Sequence, residues 1–413
     1  MKYDSIIIGG GLSGLTAGIR LASAGKKVAI ITSGQSALHF SSGSMSLLNR
    51  IGRQIVDDPL TAVSDLPDGH PYHKIGVGNI QDLAAEAAML LRHSGLNVEG
   101  SPSAHRFCLT PFGLWEPAWL TVKGIASCPD PKKCPWKKAA IVNFKGYLDF
   151  HPAYLADGLA KAGIDSEIHE IELPRLASLR KSCSEMRAAS IARLLEGSAI
   201  NDLAAAILRI KADADVILLP AVIGLRSDAA ADLLASLVDT PVRYVPVIPM
   251  SVTGVRAEFL LRRRFESLGG TYCLGDSVSR GNFENGRLTS VFTANLGDTP
   301  LEADEFILAT GSFFSQGLVA KPDAIVEPVF GLDVMQTPVR TERYSLDFFA
   351  PQPYMRFGVV TDSDLCVSRN GVTVPNLRAI GSILSGADSL HEGSGAGIAL
   401  LSAIAAARKI QFA

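Results

Sequence analysis

The sequence lacks three features that would each point to a particular class of protein. It contains no stretch of about 18–20 uninterrupted apolar residues, the length that a membrane-spanning helix requires. Its first residues lead straight into an apolar strand pattern, so we expect no secretion signal. Its 39 basic and 41 acidic side chains give a formal charge of −2, and aromatic residues make up only 7%. Neither value is typical of proteins that bind nucleic acid.

Cysteine is sparse and does not follow the patterns of metal sites. No Cys-x-x-Cys pair occurs, and the nearest two thiols, Cys128 and Cys134, have five residues between them. This spacing favours neither a zinc site nor the ligands of an iron–sulfur cluster, so we expect no metal on this chain. We expect reduced thiols in a cytoplasmic protein at all six positions, which are Cys108, Cys128, Cys134, Cys183, Cys273 and Cys366.

The remaining composition is that of a folded α/β protein. Apolar residues make up 47% of the 413 residues and charged residues 19%, which excludes intrinsic disorder and allows a large buried core. A chain of this length corresponds to two or three compact units.

The clearest local pattern opens the chain. Residues 5–8 are typical of a strand buried on both faces, and the sequence GGGLSG at 9–14 leads from it into a helical stretch and a second strand at 28–31. This order predicts a dinucleotide-binding unit. Gly9 allows the tight turn, Gly11 lets a phosphate approach the backbone, and Gly14 lets the helix pack closely on the strand. The N-terminus of that helix offers free N–H groups to the phosphate.

The second strand ends in a residue that departs from this pattern. Dinucleotide-binding folds place a carboxylate there to bind the adenosine ribose, whereas this chain has Thr32 followed by Ser33. A hydroxyl binds a ribose more weakly than a carboxylate does. Thr32 therefore favours a mononucleotide such as FMN, which needs only the phosphate cradle, and leaves FAD as the alternative.

Two further glycine patterns predict the rest of a flavin site. Residues 376–381 are typical of a short strand ending in Gly381, and a glycine cluster at 393–397 opens the last helix. Residues 305–311 form a strand ending in Ala-Thr-Gly, preceded by a hairpin signal at Asn285-Gly286. In flavoproteins with two-dinucleotide folds, such strands and the last helix lie beside the flavin.

We predict a Rossmann-like α/β fold of the FAD/NAD(P)-binding flavoprotein type, with an inserted α+β cap or substrate domain. Proline-rich loops and short strands at 139–142, 166–172 and 216–220 distinguish the middle of the chain. Helices are expected at about 152–162 and 254–268. The predicted flavin-binding domain comprises 1–55, 246–320 and 356–413, and the predicted cap comprises 56–245 and 321–355.

Five longer stretches are far more specific than any glycine pattern. They are GQSALHFSSGS at 34–44, TGSFFSQGL at 310–318, EPVFGLDV at 327–334, FFAPQP at 348–353 and FGV at 357–359. Through these stretches the whole chain resembles the B subunits of bacterial anaerobic glycerol-3-phosphate dehydrogenases.

The resemblance implies an activity and an assembly. The implied reaction is the oxidation of sn-glycerol 3-phosphate to dihydroxyacetone phosphate during anaerobic growth, with electrons passed to a quinone and then to fumarate or nitrate. The resemblance also implies FMN on this chain, a partner A subunit that binds FAD, and an iron–sulfur C subunit that anchors the complex. The chain is then expected on the cytoplasmic side, peripheral to the inner membrane through its partners.

This chemistry needs a base for the substrate hydroxyl and cations for its phosphate. The candidate bases are His39, after the second strand, and His391, before the last glycine cluster. The candidate phosphate ligands are Arg340, Arg343 and Arg356. The residues expected to bind the cofactor are Gly9, Gly10, Gly11, Leu12, Ser13, Gly14, Thr32, Ser33, Ser41, Ser42, Gly43, Thr310, Gly311, Gly381, Gly393, Gly395 and Ala396.

The residues leave three alternatives open. In the first, this chain is an FMN electron relay and the A subunit oxidises the substrate. In the second, it is a structural subunit with a vestigial nucleotide fold, which the departure at Thr32 favours and the intact Gly9, Gly11 and Gly14 disfavour. In the third, it is a free-standing FAD oxidoreductase with another substrate, which the missing carboxylate and the end-to-end similarity both disfavour.

Overall fold

The computed structural model describes residues 2–182 and 185–411, so that Cys183 lies outside the described residues. The helices, numbered in chain order, are α1 Leu12–Ser23, α2 Pro59–Ala62, α3 Pro71–Lys74, α4 Ile80–His93, α5 Pro152–Lys161, α6 Ala188–Leu194, α7 Ala199–Ile210, α8 Ala229–Leu237, α9 Val252–Ser267, α10 Ser389–Glu392 and α11 Gly395–Gln411. The strands are β1 Lys2–Ile8, β2 Val28–Thr32, β3 Ser44–Met45, β4 Arg50–Ile51, β5 Gln54–Ile55, β6 Val98–Gly100, β7 Arg106–Leu109, β8 Trp115–Ala118, β9 Leu120–Val122, β10 Ser127–Cys128, β11 Lys138–Phe144, β12 Asp165–Ile171, β13 Val216–Pro220, β14 Val242–Val245, β15 Thr271–Leu274, β16 Val278–Glu284, β17 Arg287–Thr293, β18 Leu301–Leu308, β19 Val319–Ala320, β20 Ile325–Val326, β21 Val334–Met335, β22 Gly358–Val359, β23 Cys366–Arg369 and β24 Val372–Ala379.

The main sheet is built around β1, whose apolar run is buried on both faces. Ile6 lies beside Ala29 of β2 on one side and beside Phe306 of β18 on the other, and both pairings are parallel. β15 continues the sheet in parallel beyond β2, and β24 pairs in parallel with β18. The carboxyl ends of these five strands therefore meet at one edge, which is where parallel α/β sheets bind their ligands.

The predicted elements of this sheet are confirmed. The first strand, glycine turn, helix and second strand are β1, α1 and β2, and the hairpin signal corresponds to the antiparallel pair β16–β17. Asn285 and Gly286 both have positive φ, 51° and 76°, as a two-residue hairpin turn of this kind requires. The last predicted helix is α11, which begins at Gly395.

A second, smaller sheet lies in the middle of the chain. Its order is β12-β11-β13-β14, and every pairing in it is parallel. The strands expected at 139–142, 166–172 and 216–220 are three of these four. Two small antiparallel sheets, β10-β7-β8 and β3-β9-β6, lie in the chain segments before it. The cap region thus has an α/β part of its own.

The structure differs from the predicted domain boundaries in two places. Helix α4 falls in the predicted cap, but it packs against α1 and α11, because its buried apolar face, which includes Leu83 and Ala87, covers these helices of the main unit. The segment 321–355 also departs from the cap. Its strand β21 pairs with β22, and Asp333 binds Ser368 and the backbone N–H groups of Asn370 and Gly371, next to β23.

One carboxylate joins three helices of the main unit. Glu86 of α4 accepts a hydrogen bond from Arg20 Nε of α1 at 2.5 Å and another from Arg408 Nε of α11 at 2.9 Å. All three side chains are largely withdrawn from solvent. Because α1 and α11 both begin at the carboxyl edge of the sheet, this bridge helps to fix their relative position.

A membrane-spanning helix is not found in residues 2–182 and 185–411, where none is both long and apolar enough.

We expect Glu86→Ala to lower the free energy of unfolding by roughly 1–3 kcal/mol, because it leaves two half-buried guanidinium groups without their carboxylate. Urea unfolding of the purified protein measures this change. Gln81→Ala, at a solvent-facing position of the same helix, is the matched control and should change the stability by about 0.5 kcal/mol or less. Equal stabilities of the two variants would contradict the role given to Glu86.

Candidate functional site

A cavity of ≈ 670 Å³ lies at the carboxyl edge of the main sheet. Its walls come from the turn after β1, the segment after β2, the turn after β18 and the first turn of α11. The start of β16 and the pair Pro328-Val329 complete them. The size is within the range of about 300–1,000 Å³ that small-molecule and cofactor sites occupy. We call it the large cavity.

Two glycines bring the backbone together beneath this cavity. Gly9 has φ +115°, and a Cβ there would lie 2.2 Å from the carbonyl oxygen of Ala309. A Cβ on Gly14 would lie 1.9 Å from the carbonyl oxygen of Gly9. Both contacts are too short for any side chain, so these glycines are required by the packing of β1, α1 and β18.

Gly11 is different, because nothing in the protein requires a glycine there. Its φ of −78° and ψ of −170° suit any residue. Among the described atoms within 4 Å, an added Cβ would meet only Ser36 Cβ, at 3.7 Å. Gly11 lines the large cavity, so the missing side chain leaves space for a ligand.

The N-termini of two helices open into the large cavity. α1 begins at Leu12, and in the part of the chain that the structure describes neither a capping side chain nor an acidic residue occupies its first turn. α11 begins at Gly395, and Gly395 and Ala396 line the same cavity. The free N–H groups of a helix N-terminus and its dipole favour a negatively charged or polarised group.

One buried hydroxyl also lacks a partner at this site. Thr310 Oγ1 is fully buried and makes no hydrogen bond within residues 2–182 and 185–411, and Thr310 lines the large cavity. A buried polar atom without a partner costs about 1–3 kcal/mol. A ligand with a hydroxyl or phosphate group at this wall would remove that cost.

The large cavity extends on both sides of the glycine turn. On one side it reaches Met45, Ser382 and the first turn of α11. On the other it passes Thr32 and reaches residues 277–279 at the start of β16. The Thr32 hydroxyl donates a long hydrogen bond of 3.4 Å to the carbonyl of Gly34. The residues present therefore leave room for an extended ligand on both sides of the glycine turn.

A buried carboxylate shapes one wall of the large cavity. Glu327 accepts hydrogen bonds from the backbone N–H groups of Val329 at 2.9 Å and Phe330 at 2.8 Å. Burial raises the pKa of Glu327, and these hydrogen bonds counteract only part of that effect. The tight turn that they hold puts Pro328 and Val329 on the cavity wall.

Most of the residues predicted to bind the cofactor line the large cavity. They are Gly9, Gly10, Gly11, Leu12, Ser13, Thr32, Ser33, Ser41, Thr310, Gly311, Gly395 and Ala396. Five others do not. Gly14 packs on Gly9, Ser42 binds Ser44, Gly43 and Gly393 adopt positive φ in turns, and Gly381 belongs to a neighbouring cavity.

The neighbouring cavity is smaller, ≈ 240 Å³, and shares Phe314, Ser382 and Gly395 with the large one. We call it the small cavity. Its other walls are mainly apolar and include Phe313 and Tyr354, whose rings meet edge to face at 6.0 Å. It adjoins the large cavity at the start of α11 and is therefore the candidate position for a substrate.

The two predicted bases lie in different surroundings. His39 is buried, its Nε2 pairs with Glu258 of α9, and its side chain does not line either cavity. His391 lies in α10 and is about two-fifths exposed. Its Nδ1 is 2.9 Å from Oδ2 of the buried Asp388. Since a carboxylate only accepts hydrogen bonds, Nδ1 donates, which leaves the lone pair of the neutral ring on Nε2. His391 does not line either cavity itself, but it lies two residues from Ser389, which lines the small cavity described above.

The three predicted phosphate ligands also differ. Arg343 is buried, and its guanidinium donates to the carbonyls of Asp323, Thr337 and Pro338, so it is a structural residue. Arg340 is exposed, in a single 3₁₀ turn. Arg356 is half-exposed and lies between Met355 and Phe357, which both line the small cavity. Arg356 is therefore the best placed of the three.

A buried polar network holds the segment that carries His391. Glu392 accepts hydrogen bonds from His70 Nε2 at 3.2 Å, Ser394 Oγ at 3.1 Å and the backbone N–H of Asp388 at 3.1 Å. Arg356 Nη2 lies 3.4 Å away. Burial raises the pKa of Glu392, but the hydrogen bonds, led by that from His70, outweigh burial and hold the pKa below its usual value. The charged carboxylate thereby fixes the start of α11.

Sequence reasoning alone does not identify several of these residues. The sequence shows that Asp388 and Glu392 are acidic neighbours of His391. It does not show that each of these carboxylates has partners of its own. His70 belongs by its position in the chain to the predicted cap, although it is fully buried against Glu392. Phe314, which joins the two cavities, lies in one of the specific stretches and carries no chemical signal of its own.

Comparison with known proteins identifies relatives along the whole chain. A family model described as an FAD binding domain matches residues 4–398. The chain is similar to the B subunit of anaerobic glycerol-3-phosphate dehydrogenase from Yersinia pestis bv. Antiqua, at 44% identity over 99% of this chain and 98% of that protein. It is similar to the protein of the same name from Pectobacterium atrosepticum, at 39% identity over 99% of each chain.

Among solved structures, the chain is similar to 3-ketosteroid delta1-dehydrogenase from Sterolibacterium denitrificans. The identity is 11% and the TM-score 0.45, over 100% of this chain and 99% of that one. The family model confirms the predicted flavin-binding α/β fold.

We expect Gly11→Val to abolish flavin binding without unfolding the protein, because the new side chain enters the large cavity and not the protein's own packing. The ratio of absorbance at 450 nm to that at 280 nm measures the flavin content and should fall to the value of a flavin-free protein. Circular dichroism checks the fold.

Gly78→Val is the control, since a Cβ at this position would meet no described atom within 4 Å and Gly78 lies away from the large cavity. A folded Gly11→Val protein with its full flavin content would show that the cofactor lies elsewhere.

Proposed function

We propose that this chain, which belongs to the family of anaerobic glycerol-3-phosphate dehydrogenase B subunits, oxidises sn-glycerol 3-phosphate to dihydroxyacetone phosphate at its two adjoining cavities. The chain is part of a flavin-dependent dehydrogenase. One observation supports this proposal most directly. Two helix N-termini open into the large cavity, which a side chain in place of Gly11 would enter, and the small cavity lies beside it.

We propose FAD as the flavin, although Thr32 by itself favours FMN. The large cavity continues past Thr32 to residues 277–279, which leaves room for an adenosine half. The matching family model, which describes an FAD binding domain, also supports this choice. FMN remains the second candidate, because Thr32 supplies a hydroxyl where a carboxylate would hold a ribose more firmly.

In this proposal each group of residues at the two cavities has a separate role. The N–H groups at the start of α1 hold the phosphate of the cofactor, and the start of α11 and Thr310 Oγ1 contact its polar atoms. A flavin held by these residues would supply the acceptor for the hydride that leaves the carbon of the substrate. The aromatic walls of the small cavity, which include Phe314 and Tyr354, exclude water from that carbon.

His391 is the proposed base. As the hydride leaves, the substrate hydroxyl loses its proton to Nε2 of His391 and its oxygen becomes the carbonyl oxygen of the product. Asp388, which binds Nδ1, orients the ring and stabilises the imidazolium that forms. Arg356 is the proposed phosphate ligand, since its half-exposed guanidinium can bind an anion while it stays near Glu392.

The partners and the final acceptor are also part of the proposal. The relatives are named as B subunits, which indicates an assembly of several different chains. We propose a flavin-containing A subunit and an iron–sulfur C subunit as the partners, with electrons passing to a quinone and the complex held peripherally at the inner membrane. Fumarate and nitrate are the proposed terminal acceptors.

An electron relay is the second candidate function, and one observation favours it. Among the described residues that line the small cavity, none carries a positive charge. A doubly charged phosphate would therefore depend on Arg356 at the rim. If Arg356 does not reach it, the substrate is oxidised on a partner and this chain only carries electrons.

Chromatography of the flavin released by heat identifies the cofactor, and we expect FAD. Thr32→Val, which keeps the shape of the side chain and removes its hydroxyl, should then weaken flavin binding up to about tenfold, or ~1.4 kcal/mol. Thr271→Val, at the exposed start of β15 and away from the large cavity, is the matched control. Release of FMN, together with an unchanged affinity in Thr32→Val, would overturn the proposal of FAD.

His391→Asn should slow the reduction of the flavin by glycerol 3-phosphate about 10²–10⁴-fold, the usual effect of losing a general base. Anaerobic stopped-flow mixing of the isolated chain with substrate measures this rate, and the flavin content should not change. His93→Asn, on the exposed end of α4, is the control.

Equal rates in the two variants would exclude His391 as the base. A wild-type chain that binds flavin but is not reduced by the substrate would instead support the electron relay.

A further inference from the structure

A surface loop beside the small cavity presents large apolar side chains to solvent. In the loop 343–354, Leu346 is 94% exposed, Phe348 85% and Phe349 88%. The rings of Phe348 and Phe349 meet edge to face at 5.4 Å. Folding alone gives no reason for this arrangement, because burying each of these side chains would contribute about 1.5–3 kcal/mol.

The 343–354 loop is ordered by polar contacts and not by its apolar side chains. The Gln352 amide accepts a hydrogen bond from Ser345 N at 2.8 Å and donates to the carbonyls of Asp347 and Ala350 at 2.9 and 3.1 Å. The Asp347 carboxylate accepts from Phe349 N at 3.0 Å. The loop is therefore held in one shape while its apolar side chains point outward.

The base of the 343–354 loop is equally well fixed. Tyr354 N donates to the carbonyl of Arg343 at 3.0 Å, which closes the loop. The buried guanidinium of Arg343 binds three carbonyls of the preceding segment. This explains why an arginine that is a phosphate candidate by sequence is buried here. A preorganised loop loses little conformational entropy when it binds a partner.

The apolar surface continues from the 343–354 loop to the cavities. Tyr354 lines the small cavity and packs on Phe313. The next residue, Phe314, is 67% exposed, lines both cavities and meets the ring of Phe40 at 5.4 Å. The side chains of Leu346, Phe348 and Phe349 together expose roughly 500 Å² of surface, if each aromatic side chain has a total area of about 150–250 Å². That is over half of the ~800 Å² that one partner contributes to a standard interface.

We propose that the 343–354 loop is the docking site for a partner subunit of the dehydrogenase, and that it inserts Leu346, Phe348 and Phe349 into an apolar groove of that subunit. This inference rests on the proposed function, since the relatives are subunits of an assembly. Its position beside the cavities would place the partner where electrons leave the flavin.

A protein partner fits the 343–354 loop better than a lipid surface does. The carboxylate of Asp347 lies between the exposed Leu346 and Phe348, and inserting it among acyl chains would cost several kcal/mol of desolvation. Aromatic anchors on a rigid loop, with a polar group between them, are typical of the centre of a protein interface.

The test uses the whole chain and its partner subunits. Phe348→Ser/Phe349→Ser should weaken binding to the remaining subunits, expressed together without this chain, at least about tenfold in Kd. Flavin content and melting temperature should stay at wild-type values, since the two rings make no contact that the fold uses. Phe112→Ser/Leu148→Ser, at two exposed apolar positions of the cap (53% and 66%), is the matched control and should bind normally.

Three results would overturn the proposal. One is an unchanged Kd of the Phe348/Phe349 variant. Another is a wild-type chain that forms dimers which the variant loses, because the occupant is then a second copy. The third is binding of the wild type, but not the variant, to vesicles of anionic phospholipid without any partner. Flavin content and reduction by substrate are measured on the isolated chain, so a failure of the proposed function would be seen separately from a failure of docking.

Discussion

The close approach of three backbone segments determines the position of everything else at the site. The turn after β1 touches the end of β18 at Ala309 and the first turn of α1 at Gly14, at distances that admit no Cβ on Gly9 or Gly14. This contact brings the carboxyl ends of the strands and the N-terminus of α1 to one point. The Glu86 bridge joins the C-terminal parts of α1 and α11, and the N-terminus of α11 opens on the same cavity.

A polar network and an ordered loop extend this framework to the small cavity. Glu392 is buried and charged, because its hydrogen bonds outweigh the cost of burial, and it holds the segment between α10 and α11. His391 lies in α10, and Asp388 directly precedes that helix. On the other side of the small cavity, Arg343 fixes the chain that leads to Tyr354. The walls of the small cavity are thus held in place by Glu392 and Arg343, two charged residues that do not line the cavity.

Sequence reasoning succeeds where the signal is local and fails where it depends on distant partners. The strand, turn, helix and strand at 5–31 follow from the periodicity of apolar residues and the spacing of glycines, and the structure has them in that order. Arg343 is a predicted phosphate ligand, but its partners are carbonyls whose positions only the fold determines. Helix α4 falls in the predicted cap, because an amphipathic pattern reveals a buried face without revealing what covers it.

The open N-terminus of α1 has a consequence for the supply of the protein in the cell. A ligand that binds the N–H groups of α1 and the buried Thr310 hydroxyl would stabilise the folded protein. Ligand binding stabilises the folded state by RT ln(1 + [L]/Kd). When flavin is scarce, a larger fraction of newly made chains stays open to proteases. Flavin binding is thereby expected to raise the resistance of this chain to proteolysis.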